Sequence, residues 1–465
     1  MAVASYNSHM LELGILGLWL LSAYEVYQRN SLFLLGMYVV GSYLLVNYGP
    51  LLVGYESVKA NDAVWMIEAE TNRMIITSVG LYTKFTVEQV RKALDGRVFY
   101  GQKRARQYFT YVLGKPFWVE DKHFTFDAHF HVVTEPLKTT QDLWAFTAKV
   151  ASAPFPARSP PWGFYIIEDF QGGSVMISKL HHAFLDGISA VSAMVHAADP
   201  QCGRDFFKMP KFSFLQQFLY TLMALLYLPF LTISRLLFRN DKNPLHGPVL
   251  SGVKTLAWTQ PYNLAKYKEK CKQKGITLND FLGAAALRTL QKYITETFHQ
   301  SHDRFTIFMP FSLRGQPEDG SPLPVDNDFA AILLQMPSAA SPTLETDCAR
   351  VFGRIKNSIE PLTCLLAVDM LGSLPRTLAK WVLFAIADKA TLLFSNVPGP
   401  RAHLSYQGAQ LLHLMSMSPM ESNCGVAMTN ISYAEEFTVA CYADTVVVKD
   451  AGALVRLLQE EIESA

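Results

Sequence analysis

The sequence predicts an α/β protein held against a membrane, and three observations carry that reading. Alternating apolar runs that read as strands are interleaved with capped runs of 3.6-residue period, on both sides of a long apolar interruption. Residues 31–54 and 212–234 carry no charged side chain, over lengths close to the roughly 20 residues that cross a bilayer as a helix. The chain is 50% hydrophobic and only 17% charged, apolar for a soluble enzyme yet too charged for a polytopic transporter.

The 465 residues suit two or three domains. Residues 1–57 are expected to form membrane-anchoring helices. Residues 13–24 are uncharged but short and flanked by Glu12 and Glu25, so a tilted span, a re-entrant segment and an interfacial helix all fit. No basic cluster precedes them and no small-residue cleavage site follows, so a cleaved leader is not expected. Residues 58–210 form a first globular unit: strands at 73–82, 118–120, 124–133, 162–168 and 173–177, and a capped helix at 86–94. Residues 211–252 are an apolar linker facing the membrane. Pro229 interrupts it and both flanks are basic, which leaves span and monotopic helix equally open. Residues 253–465 form the second unit, with a helix at 264–270, a small-residue helix after Asn279 and Asp280, a strand ending at Met309–Gly315, and a turn at Val397-Pro398-Gly399-Pro400. There Pro398 fixes φ and Gly399 allows a positive φ.

The balance of 41 basic and 40 acidic side chains gives a formal charge of +1 and no field for a polyanion, so nucleic acid is not an expected partner. Six cysteines are scattered without paired spacing and read as reduced core thiols, which favours domains facing the cytosol.

The candidate site lies at a strand-to-helix junction, Ser178-Lys179-Leu180-His181-His182-Ala183-Phe184-Leu185-Asp186-Gly187. An imidazole leaving the sheet there suits proton transfer near neutral pH. Asp186 can hold the loop or orient a histidine, and Gly187 frees the backbone to turn where a Cβ would collide. Taken as residues alone, two polar histidines without a role, or a metal set of His181, His182 and Asp186, fit as well.

The order His-His-x-x-x-Asp-Gly resembles the active-site motif of the wax ester synthase/diacylglycerol acyltransferase family, within the CoA-dependent acyltransferases that include chloramphenicol acetyltransferase and peptide-synthetase condensation domains. Further stretches resemble the same family in the same order: Asp62-Ala63-Val64-Trp65, Phe126-Asp127 with His131, Thr277-Leu278-Asn279-Asp280, Pro310-Phe311-Ser312-Leu313-Arg314, Asn327-Asp328-Phe329, and Ser395-Asn396-Val397-Pro398-Gly399-Pro400. Asp326 departs from the pattern, standing where the family has a small residue. Alternation alone accounts for His131, and capping alone for Asn279 and Asp280.

The resemblance implies two chloramphenicol-acetyltransferase-like domains forming a pseudo-dimer with a tunnel between them. It implies His182 as general base, Asp186 as a structural carboxylate paired with Arg314, and His181 shaping the pocket. Gly187, Asn279, Asp280, Arg314, Asn396, Pro398 and Gly399 would support the site. Acyl-CoA would be the donor substrate, with no metal and no other cofactor, and a fatty alcohol or diacylglycerol the acceptor, drawn from membrane lipid. The expected location is a membrane, the endoplasmic reticulum in a eukaryote, with the catalytic domains facing the cytosol. The rivals are a non-catalytic lipid-binding scaffold of the same fold and an acyltransferase acting on another alcohol or an amine. No Gly-x-Ser-x-Gly elbow, His-Glu-x-x-His pair or dinucleotide loop is present.

Overall fold

The computed structural model describes residues 21–24, 32–94, 102–199, 213–312 and 325–464. Most of the expected first anchor, residues 13–24, lies outside them, as does Arg314. The chain enters through helix α1 (Leu32–Leu52), which has the length and apolar composition of a span and leaves Met37, Val40, Tyr43 and Leu45 exposed. In chain order there follow β1 (Glu56–Ser57), α2 (Ala60–Val64), β2 (Ile75–Tyr82), α3 (Val87–Leu94), β3 (Gln107–Val112), β4 (Lys115–Glu120), β5 (Phe130–Val132), α4 (Thr140–Ser152), β6 (Trp162–Phe170), β7 (Gly173–His181) and α5 (Gly187–Ala197). Helix α6 (Phe214–Leu237) leads to β8 (Lys254–Trp258), β9 (Tyr262–Asn263), α7 (Leu264–Gln273), α8 (Leu278–Phe298), β10 (Thr306–Ser312), β11 (Phe329–Gln335), α9 (Leu344–Lys356), α10 (Glu360–Gly372) and α11 (Arg376–Ala387). Then come β12 (Leu392–Val397), β13 (Ser405–Tyr406), β14 (Ala409–Met417), β15 (Val426–Tyr433), β16 (Glu436–Asp444) and α12 (Ala451–Glu463).

Two large sheets organise these elements. One runs β13-β14-β2-β7-β6-β5, and the other β11-β10-β12-β15-β16-β8 with β9 added on β16. Strands β13 and β14 come from the second half of the chain but complete the first sheet, pairing Leu414 with Gly80 and Met417 with Thr77. The second half therefore lends a strand pair to the first across the break expected near residue 211. A shared core closes the space between the sheets, with Val79, Ile177 and Met415 from one side meeting Leu393, Ala427 and Tyr442 from the other.

Residues 124–133, expected as one strand, divide into a 3-10 turn at Phe126–His129 and the short β5. The turn sinks His129 beneath Trp162, with ring centroids 4.1 Å apart and Nδ1 2.8 Å from the Trp162 carbonyl. Alternation misled because Phe126 and His129 are turned inward by the turn rather than by pleating. His131 stays on the strand beside Tyr165.

Helix α8 is capped by Thr277, two residues before Asn279. The Thr277 amide donates to Asp280 Oδ2 at 2.7 Å, and the Asp280 amide returns to Thr277 Oγ1 at 3.3 Å. Asp280 is thus the third residue of a capping box, while Asn279 is released towards the interior.

Gly399 does not take the positive φ expected of it. A Cβ there would sit 1.9 Å from the Ser432 carbonyl oxygen, so the glycine permits a close backbone approach between the turn and β15. Gly399→Ala should destabilise the fold by about 1–3 kcal/mol or more, read as a lower urea midpoint. A midpoint equal to the parent's would show that this junction yields at no cost.

Candidate active site

Strand β7 ends at His181, which faces Ile75 in the ladder, and His182 is the first residue beyond it. Period-two alternation throws the two rings to opposite sides. His181 is turned away from the cavity into a buried niche between Phe109 and Phe155, with Nε2 3.5 Å from Glu68 Oε2. That separation is too long for a hydrogen bond and leaves an electrostatic contact. Burial pushes the Glu68 carboxyl up, but His181, Arg73 and the Met74 amide hold it below its ordinary value. His181 therefore does not line the cavity that it was expected to shape, whereas His182 does.

The His182 ring is set in a buried polar chain. Asn327 donates from Nδ2 to Asp62 Oδ1 at 2.9 Å and to the His182 carbonyl at 2.8 Å. Both are acceptors, so the amide orientation is forced and Asn327 Oδ1 faces His182 Nδ1 at 3.0 Å. Nδ1 must then carry the proton. The tautomer that results leaves the lone pair on Nε2.

Asp62, fully buried, also accepts the Asn327 amide at 2.8 Å and stands 3.4 Å from Arg104 Nη1. Burial raises its carboxyl pKa while Asn327 and Arg104 oppose the rise. Arg104 is itself seated over the Trp118 ring at 4.1 Å. On the apolar side, Trp65 and Phe329 stack at 4.3 Å and lie 5.5 Å and 4.6 Å from the His182 ring. This burial pushes the imidazole pKa down to about 4, against the pull of Asp186 and the Asn327 bond. The ring is neutral at physiological pH, the state a base requires.

Asp186 caps α5. Its Oδ1 accepts the Ser189 amide at 2.8 Å and its Oδ2 the Asp328 amide at 3.0 Å, tying the histidine loop to the start of β11. Gly187 lines the cavity at normal backbone geometry, and an added Cβ would touch only Val397 at an ordinary 3.7 Å. Its small size leaves space in the cavity; no turn demands it, contrary to expectation. His181, His182 and Asp186 are each engaged elsewhere, and among the described residues no group of three or more potential ligands could hold a metal ion.

The cavity between the sheets has a volume of about 370 Å³. Besides His182, Asp186 and Gly187 it is walled by apolar residues such as Met309, Phe311 and Leu393, by Pro398, and by the amides Asn279 and Asn396. Asn396 donates to Asn279 at 3.1 Å and accepts from Asn430 at 2.7 Å.

Residues 70–219 match the wax ester synthase/diacylglycerol acyltransferase catalytic domain, and residues 325–465 match the WS/DGAT C-terminal domain. The chain belongs to the wax ester synthase/diacylglycerol acyltransferase family. Among curated relatives of the family, it is 23% identical over 389 residues to a probable diacylglycerol O-acyltransferase of Mycobacterium tuberculosis, covering 75% of this chain and 81% of that protein. It is 22% identical over 385 residues to the O-acyltransferase WSD of Acinetobacter baylyi, covering 75% and 82%. Its fold matches the solved wax ester synthase/diacylglycerol acyltransferase of Marinobacter aquaeolei with a TM-score of 0.60 at 18% identity, over 88% of this chain and 98% of that one. A starter condensation domain of rhizomide synthetase matches with a TM-score of 0.58 at 10% identity, over 89% and 96%.

Family motifs already contained Asp62, Trp65 and Asn327, yet nothing in the sequence showed that positions 265 apart would share a proton-bonded chain with His182. Arg104 gave no signal at all.

Proposed function

We propose that the protein is a membrane-bound O-acyltransferase that moves a long-chain acyl group from acyl-CoA to a fatty alcohol, diacylglycerol or both, with His182 as the general base. The observation that supports this reading is the forced amide of Asn327, which keeps a lone pair on His182 Nε2 at a mainly apolar cavity. The acceptor hydroxyl donates to Nε2 while its oxygen attacks the thioester carbonyl carbon. The tetrahedral oxyanion then collapses, the C–S bond breaks, and the imidazolium returns the proton to the leaving CoA thiolate. Ester and free CoA leave. Asp186 acts through the loop, and the two sheets form the walls of a tunnel opening to donor and acceptor. Labelled acyl-CoA incubated with fatty alcohol, diacylglycerol and monoacylglycerol tests the reading; no labelled ester from any of them would end it.

We place the acceptor's entry on the face built by α6. This helix packs on α10 and touches α11 through one stripe, Ala224, Leu228 and Leu231, and Arg235 is ion-paired with Glu360. Its other side exposes Phe218, Leu222, Leu226 (74% exposed) and Phe230, and α11 adds Leu378 and Trp381 (63% exposed). A helix packed lengthwise on the body suits a monotopic attachment better than a span. The location follows as a membrane surface, with α1 as a separate anchor and the catalytic domains in the cytosol. Leu222→Asp with Leu226→Asp should cut use of bilayer-borne acceptor about tenfold or more while the protein stays on membranes through α1. Undiminished use of acceptor from vesicles would remove this face from the delivery route.

A further inference from the structure

Glu421 is the one cavity-lining carboxylate besides Asp186 among the described residues, and the esterification chemistry gives it no task. It follows β14 and is 2% exposed. Oε1 accepts the Ser422 amide at 3.3 Å, but Oε2 has no hydrogen-bond partner among the described residues. The same cavity carries further polar groups: Ser78, Ser416 and Ser418 also line it, with the first two hydroxyls 3.4 Å apart. A pocket made only for hydrocarbon chains would not bury an unpartnered carboxyl oxygen there, since that oxygen loses its water without replacement.

We infer that the carboxylic acid of Glu421 donates a hydrogen bond to a carbonyl oxygen of the bound substrate, and that this oxygen is an ester carbonyl of a diacylglycerol acceptor. A simple alkanol carries one oxygen, and His182 takes it. A diacylglycerol presents its free hydroxyl to His182 and still offers ester carbonyls to a second donor. Burial keeps the Glu421 carboxyl protonated, pushing its pKa up to about 8; Glu68 and Asp388 reinforce the rise, while the Ser422 amide and Lys380 oppose it. The acid form is therefore the donor at neutral pH. A site built to hydrogen-bond a substrate oxygen discriminates strongly against an analogue that lacks it.

This inference rests on the acyltransferase reading above. The test uses the full-length protein with palmitoyl-CoA and, in separate assays, dioleoylglycerol or hexadecanol in mixed micelles. The readout is the ratio of kcat/KM for the two acceptors. Glu421→Leu should lower the diacylglycerol-to-alcohol ratio about tenfold. Glu421→Gln, whose amide still donates, should hold the ratio within about twofold of the parent. In the parent the ratio should fall as pH rises through about 8, and in Glu421→Gln it should stay flat. A parent that makes alcohol esters only, or a Glu421→Leu ratio equal to the parent's, overturns the inference and leaves the esterification reading standing. A rise in KM for palmitoyl-CoA with both acceptors also overturns it, assigning the oxygen to the amides of the donor's pantetheine arm. A parent that makes neither ester ends both. Should Glu421→Leu not fold, Glu421→Met supplies the same comparison.

Discussion

His182→Ala is expected to lower ester formation by about 100- to 10,000-fold, the usual contribution of a positioned general base, with secondary structure and membrane attachment unchanged. The residue contributes no strand pairing of its own, and its backbone bonds to Met74 and Asn327 survive the truncation. His181→Ala should cost far less, because its ring faces Glu68 and lies outside the cavity. Activity of His182→Ala equal to the parent's would remove the mechanism. The pH dependence gives a second reading. A ring whose pKa is held down to about 4 stays neutral, and so basic, across the physiological range. The rate should hold steady as pH falls through 6.5, the ordinary histidine value, and drop only as pH approaches the lowered value. Stability follows with its own sign. Between the two values the unfolded chain binds a proton that the folded one refuses, so unfolding takes up protons and stability falls as pH falls through that window. It is fully present above it. His182→Ala should flatten that acid-side slope.

Local chemistry was legible in the chain; long-range partnership was not. The strand at 173–177, the helix after Gly187 and the capped helix near Thr277 follow from alternation, period and caps, because those signals are written within a few residues of where they act. The transfer of β13 and β14 into the first sheet left no such mark. Their alternation specifies a strand but not which edge it joins, and Leu411 to Met417 would pair as readily within its own half on pattern alone. The site divided in the same way. His182 and Asp186 stood out through spacing, while the direction of each ring depended on which residue closed the β7 ladder. Gly187 and Gly399 were read as conformational freedom. In the folded protein one is a matter of cavity space and the other of a backbone carbonyl 1.9 Å from a would-be Cβ. Glu421 is the first acidic residue after the uncharged, methionine-rich stretch 411–420, a signal that gains meaning only once its burial is known.

Asn327→Leu should lower kcat by about 100-fold, the scale on which supporting partners of a working imidazole act, with a smaller change in KM for acyl-CoA. The side chain does three things at once: it accepts the Nδ1 proton of His182, donates to the His182 carbonyl and donates to Asp62. Without it the ring is free to carry its proton on Nε2, and the molecules that do so have no lone pair facing the cavity. Asp62→Asn should cost less, about tenfold, because an amide oxygen at that position still accepts from Asn327 and keeps its orientation. The pair should be coupled. Asp62→Ala combined with Asn327→Leu should be no slower than Asn327→Leu alone, since Asp62 acts on the imidazole only by orienting the amide between them. Heteronuclear NMR of nitrogen-labelled histidine separates this from a merely structural role. Parent protein at neutral pH should show His182 protonated on Nδ1 and bare on Nε2, and Asn327→Leu should show both tautomers. A parent spectrum with the proton on Nε2 would mean that Asn327 is flipped and that the ring cannot act as the base in this geometry.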